Sequence, residues 1–179
     1  MPPKKKKKDQ IIKIEKYKPI NFYELPAIKS KMVTVRNPNF HKHNINQYFN
    51  MLIIGSTGAG KTNILANLIY NMGNTFNHIF IFTKRTEPIY DFLIESLPED
   101  MITIKYGYQE FVNFDENKFE GSSLVIFDDF VAEKNQTAVS EHFIRGRKLS
   151  SVKGLGCSSI YLSQMYLRSP KQYAVKLIL

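Results

Sequence analysis

The sequence predicts an α/β domain with a mostly parallel sheet flanked by helices. Three observations carry this. Apolar runs too short to be helices ("MLII", "HIFIF", "LVIF") recur between residues 51 and 163. Stretches with helical spacing separate them, and each run ends in a glycine or polar residue where a loop would start. At 179 residues the chain is long enough for one full core and too short for two comfortable domains.

Pro19, Pro26 and Pro38 break up the first fifty residues, which show no sustained period. Residues 1–12 read as a disordered basic arm and 13–50 as an extended lead-in with one strand near "KMVTVRN". His41 and His43 in "NFHKHNIN" have a spacing compatible with a metal, but no further ligand stands nearby and a polar loop is expected. From residue 51 the pattern is regular. "YFNMLIIG" is a strand buried on both faces. "KTNILANLIYNM" puts Ile64, Leu65, Leu68, Ile69 and Met72 on one helical face, with Gly73 as a stop. "HIFIFTK" is a strand, "EPIYDFLIESL" a helix with Pro88 in its first turn, and "MITIKYG" and "GSSLVIFDDF" are strands. "QTAVSEHFIRGRK" is helical, "SSIYLSQ" is a strand, and "SPKQYAVKLIL" begins a further helix or strand. The domain expected over 51–179 stops at the apolar run "KLIL", so it reads as incomplete at its C-terminus.

No run of eighteen apolar residues exists, so a membrane-spanning helix is not expected, and "MPPKKKKKDQ" lacks the apolar core of a secretory signal. Cys157 is the single cysteine, which rules out an internal disulfide and fits a buried thiol in a reducing compartment. The charge is unevenly placed. Residues 1–50 hold twelve basic and three acidic residues (12 − 3 = +9), residues 51–144 six and thirteen (−7), and residues 145–179 seven and none (+7). Basic flanks around an acidic middle suit a polyanionic partner; for the lysine arm alone that reading and a solubilising tail stand level, with a nuclear address as a third reading.

Gly55-Ser56-Thr57-Gly58-Ala59-Gly60-Lys61-Thr62 spells G-x-x-x-x-G-K-T between a strand and a helix. In that context glycine amides and a helix N-terminus cradle the phosphates of a nucleotide, Lys61 reaches the β and γ groups and Thr62 offers a hydroxyl to magnesium. ATP and Mg2+ are the cofactors this implies. Asp128 and Asp129 close the strand "LVIFDD", where Asp128 would hold magnesium and Asp129 would orient or deprotonate water, unless the pair only ends a strand at a loop. If "SSIYLSQ" lies between the two motif strands, Gln164 reaches the γ-phosphate; otherwise it is a polar cap. Arg145 and Arg147 in "FIRGRK" are either helix-end cations or arginines offered to a neighbouring subunit's nucleotide.

Taken together, "MLIIGSTGAGKT", "LVIFDD", "RGRK" and above all "SIYLSQMYLRSPKQYAV" resemble the genome-packaging ATPases of large eukaryotic DNA viruses and virophages, in the FtsK/HerA superfamily. The likeness spans roughly residues 45–175. It implies an additional-strand P-loop fold, a homo-oligomeric ring, ATP hydrolysis, double-stranded DNA threaded into a preformed capsid, and a capsid protein partner. By position it assigns Lys61 and Thr62 to phosphate and magnesium, Asp128 to magnesium, Asp129 to the catalytic acid and Gln164 to a polar sensor. Many relatives in the wider superfamily carry Glu where Asp129 stands. The implied location is a cytoplasmic or nuclear site of virus assembly in the host cell, or the virion. Two other readings share the phosphate loop. A nucleotide or small-molecule kinase would use Arg145, Arg147 and Arg168 in a lid, and a non-hydrolysing module would bind nucleotide or DNA without turnover. A GTPase would need an N-K-x-D sequence, which does not occur.

Overall fold

A computed structural model describes residues 20–22, 25–30, 37–115, 121–149, 156–164 and 175–178. The basic arm, the strand expected over residues 31–36 of "KMVTVRN", and Arg168 within 165–174 lie outside these residues. The chain divides into two compact units, 1–32 and 33–179. In the first, Pro26 opens a single turn of helix, α1 (Pro26–Lys29), with its fixed φ and missing N–H both suited to that position.

Among its described residues the second unit carries six strands: β1 (Asn50–Ile54), β2 (His78–Thr83), β3 (Ile102–Tyr106), β4 (Ser123–Asp128), β5 (Cys157–Ser163) and β6 (Val175–Ile178). They form one sheet in the order β3-β2-β4-β5-β1-β6, and every pairing is parallel. The run "SPKQYAVKLIL", expected to begin a helix or strand, supplies β6 beside β1. α2 (Phe40–His43) precedes β1, and between the strands run α3 (Lys61–Asn71), α4 (Pro88–Ser96), α5 (Tyr108–Val112) and α6 (Thr137–Arg145), the last continued by a 3-10 turn, Gly146–Lys148.

Both faces of the sheet are covered because successive side chains alternate across a strand. Met51, Ile53, Ile79, Ile81, Ile126 and Ile160 face one way and pack with Leu65 and Ile69 of α3 and Tyr90 and Leu93 of α4. Leu52, Ile54, Phe80, Phe82, Val125 and Tyr161 face the other way, against Phe111 of α5 and Val139 and Phe143 of α6. This two-sided burial is why the strands read as unbroken apolar runs. α5 has no counterpart in the sequence reading: five residues are fewer than two turns, too few to display a period. "FHKH" likewise forms the short α2, and His43 Nδ1 accepts the Ile45 amide at 3.0 Å. Among the described residues no cluster of metal-ligating side chains occurs, and no helix is long and apolar enough to cross a membrane.

Asn39 and Gln47, ahead of β1, are tied to the sheet's starting edge. Gln47 donates to the Thr75 carbonyl at 3.2 Å and to Ser122 Oγ, while Ser158 Oγ donates to the Gln47 carbonyl. Asn39 Nδ2 reaches the Gly73 carbonyl at 2.9 Å, just beyond the end of α3.

Phe127 is fully buried, with its ring 4.7 Å from Phe111, 5.8 Å from Phe143 and 6.1 Å from Phe82. Phe127→Ala removes the centre of that aromatic cluster and is expected to cost about 3–5 kcal/mol in a denaturant titration. His142, buried beside it, is pushed down to about 3 by burial and then by the Arg145 charge. The unfolded chain takes up this proton near pH 6.5, and the folded chain refuses it until about 3. The neutral ring therefore stabilises the fold above about pH 6.5, and that contribution is lost as pH falls toward 3. Lowering the pH to 5 is expected to cost about 2 kcal/mol through this residue, and unfolding curves of His142→Leu should lack that part of the slope.

Candidate active site

Parallel register brings the chemistry to one edge. Ile54 pairs with Ser163, Leu162 with Asp128, and Asp128 with Thr83, so β1, β5, β4 and β2 end side by side. The ladder runs one residue further, from the Gly55 amide to the Ser163 carbonyl at 3.1 Å. β5 lies between β1 and β4, which is the position required for Gln164 to reach the other motif residues.

The loop after β1 needs glycine at two places. Gly58 (φ 79°) and Gly60 (φ 82°) adopt the left-handed conformation, and nothing lies within 4 Å of where a Cβ would stand on either. The demand is therefore conformational, and the space before the loop is open. Gly60 precedes α3, whose first turn carries no side-chain cap, so its leading N–H groups present positive partial charge to that space. Lys61 Nζ donates to the carbonyls of Gly55 at 3.0 Å and Ser56 at 3.1 Å, folding the ammonium over the loop. Thr57, Gly58, Gly60, Lys61 and Thr62 line a cavity of about 350 Å³ together with Asp128, Asp129 and Gln164. A larger cavity of about 550 Å³ at the strands' starting edge includes Asn50, Phe143 and Cys157, and none of its described lining residues is charged. The charged chemistry belongs to the former. Its open cradle, uncapped helix start, lysine, hydroxyl and acids fit a phosphate chain with a magnesium ion, which Gly55–Thr62 would hold on one side and Thr62 and Asp128 at the metal.

The two aspartates differ in environment. Asp128 is 7% exposed, and its Oδ2 accepts Tyr90 Oη at 2.7 Å and Thr83 Oγ1 at 3.3 Å. Burial raises its carboxyl above the ordinary range, the Tyr90 hydrogen bond opposes this, and the charges of Glu87 and Asp129 add to the rise. Burial and the adjacent carboxylate push the Tyr90 phenol up as well, which keeps it a donor. Asp129 is half-buried with φ 60°, a left-handed conformation that aspartate tolerates better than most residues. Gln164 Nε2 donates to Asp129 Oδ1 at 3.3 Å, and Thr57 Oγ1 donates to Gln164 Oε1 at 3.2 Å. A continuous chain of side chains thus joins the phosphate loop, the end of β5 and the second acid.

Arg145 ends α6, and the turn containing Arg147 packs where β5 begins: a Cβ on Gly146 would stand 2.9 Å from the Cys157 carbonyl. The end of α6 and the turn after it therefore lie at the edge opposite the cavity, and Arg145 does not line it. Among the lining or supporting residues missed in the sequence are Thr83, Arg85, Glu87 and Tyr90. They come from the end of β2 and the start of α4, both of which were expected. What would have identified them is the placement of β2 beside β4, and spacing along the chain does not carry that.

Residues 37–172 match the family model described as poxvirus A32 protein. The chain is 30% identical over 135 residues to DNA packaging protein OPG160 of variola virus and to that of vaccinia virus (strain Copenhagen). Those alignments cover 68% of this chain and 48% of each relative. The monkeypox virus protein of the same name is 29% identical over 135 residues, covering 68% of this chain and 43% of its own length. The chain spans about half the length of the relatives it matches. No solved structure matches it. With the family model spanning more than half of its residues, the chain belongs to the poxvirus A32 protein family.

Proposed function

We propose that this chain is the ATP-hydrolysing part of a viral DNA-packaging motor. The observation that carries the proposal is the single cavity in which the glycine loop, Lys61, Thr62, Asp128, Asp129 and Gln164 meet, in a chain whose relatives are named for DNA packaging. ATP would bind with its phosphates on Gly55–Thr62, and Thr62 and Asp128 would hold the magnesium ion that offsets the phosphate charge. Asp129 receives the proton of the attacking water. Gln164, already bonded to Asp129 and Thr57, exchanges one of these partners for the γ-phosphate and so couples the nucleotide state to the base. The β5 insertion between the two motif strands supports placement in the FtsK/HerA branch, which includes the packaging ATPases of other large DNA viruses and of virophages.

In this reading the subunits form a ring around double-stranded DNA, held through phosphates by the basic flanks without base reading. Arg145 or Arg147, carried at the edge opposite its own subunit's cavity, serves the neighbour's nucleotide. The motor works at the virus assembly site in the host cell, docked on a capsid protein.

Phosphate release with and without duplex DNA tests the proposal. Acceptor-independent hydrolysis that rises several-fold with duplex DNA and falls steeply with salt supports the motor. Hydrolysis seen only with a small-molecule acceptor would make the protein a kinase, and DNA binding without turnover would make it a passive module. Within the motor reading, Lys61→Ala is expected to abolish turnover and weaken nucleotide binding. Asp129→Asn is expected to lower kcat by about a hundredfold or more while nucleotide affinity changes little, as measured by fluorescent-nucleotide titration.

A further inference from the structure

The cavity's metal-facing acid is held from behind by a residue outside the phosphate loop and the strand-end motifs. Tyr90 sits in the first turn of α4 with its ring fully buried in the core face that also contains Leu93, Ile81 and Ile126. A buried polar tip needs a partner, and the Tyr90 hydroxyl has one: it donates to Asp128 Oδ2 at 2.7 Å, the shorter of the two bonds to that oxygen. Both bonds fall on Oδ2, and Asp128 lines the cavity, so Oδ1 is the oxygen left for a cation. A carboxylate with one oxygen pinned has lost the freedom to rotate, and a metal that binds the other oxygen does not have to order it. Pro88 and the packed ring fix the donor's own position, because the helix start and the aromatic side chain leave it little choice of rotamer.

We propose that Tyr90 is a positioning residue for magnesium: its hydroxyl orients Asp128 so that the carboxylate meets the ion in a preset geometry. Thr83, across the strand pair from Asp128, is the weaker second support, because its single hydroxyl proton is shared between Asp128 Oδ2 at 3.3 Å and the Arg85 carbonyl at 3.1 Å. The inference rests on the magnesium role of Asp128 proposed above.

Tyr90→Phe keeps the ring and removes only the hydroxyl. Fluorescent ATP analogue binding is titrated in EDTA and across a magnesium series, and manganese binding is followed by electron paramagnetic resonance. Removing a support of this kind is expected to raise the magnesium concentration for half-maximal effect about tenfold, equivalent to about 1.4 kcal/mol. Nucleotide affinity in EDTA should be unchanged, and high magnesium should restore turnover. Metal dependence identical to the parent protein overturns the inference, and so does an equal loss with and without metal, which would mean a packing role. Asp128→Asn separates the two levels. If that variant keeps the full metal-dependent gain, the magnesium role of Asp128 fails. If it loses the gain while Tyr90→Phe does not, only the Tyr90 inference fails. Should Tyr90→Phe not fold, Thr83→Val is the second variant, with a smaller shift in the same direction expected and no shift counting against the inference.

Discussion

The arrangement depends on strands that end level with one another. In a parallel sheet, consecutive strands are joined by crossovers that return to the starting edge, so every chain exit lies on one side. Ile54, Ser163, Asp128 and Thr83 are the last residues of β1, β5, β4 and β2, and the pairing aligns them within a residue. A slip of one residue in β4 would turn Asp128 toward the opposite face and bring Phe127 onto its side. Burial on both faces prevents the slip: Phe127 is locked among Phe82, Phe111 and Phe143, and Ile126 in the other core. The packing of the aromatic face is thus what sets the position of the acid.

Electrostatics then separate two adjacent carboxylates that are chemically identical. Asp128 is buried and held by two hydroxyls, an arrangement suited to a fixed ligand for a cation whose charge offsets the burial. Asp129 is more open and bonded to an amide that other partners can claim, an arrangement suited to a group that must exchange a proton. Lys84, just past β2, pairs with Glu133 at 2.6 Å and lies 5.9 Å from the Phe130 ring centre, tying the loop beyond Asp129 to the β2 exit. The acidic middle of the chain holds this site, and the positive charge is in the flanks.

Much of this was legible beforehand. The eight residues Gly55–Thr62 announce their chemistry because a phosphate cradle requires particular residue types at fixed spacing, and both glycines that matter have positive φ. β1 to β5, α3, α4 and α6 stood out because two-sided burial writes apolar runs and helical faces write a period. α5 and α2 did not, being too short to show one. Gln164 was a conditional expectation, and the strand order meets its condition by placing β5 between β1 and β4. Tyr90 was visible only as an aromatic within an expected helix, since nothing within four residues of it identifies its partner 38 positions away.

By itself the amino-acid order determined the local chemistry: which segments extend or coil, where an anion would be welcomed, and which acids end a strand. Those follow from neighbours along the chain and from side-chain type. Only the folded molecule decided which strands lie side by side, and so which hydroxyls hold Asp128, that Gln164 bridges Thr57 and Asp129, and that the end of α6 and the turn after it lie at the far edge. Sheet order is set by the sum of many weak non-local packing contacts, and no short window of residues contains that sum.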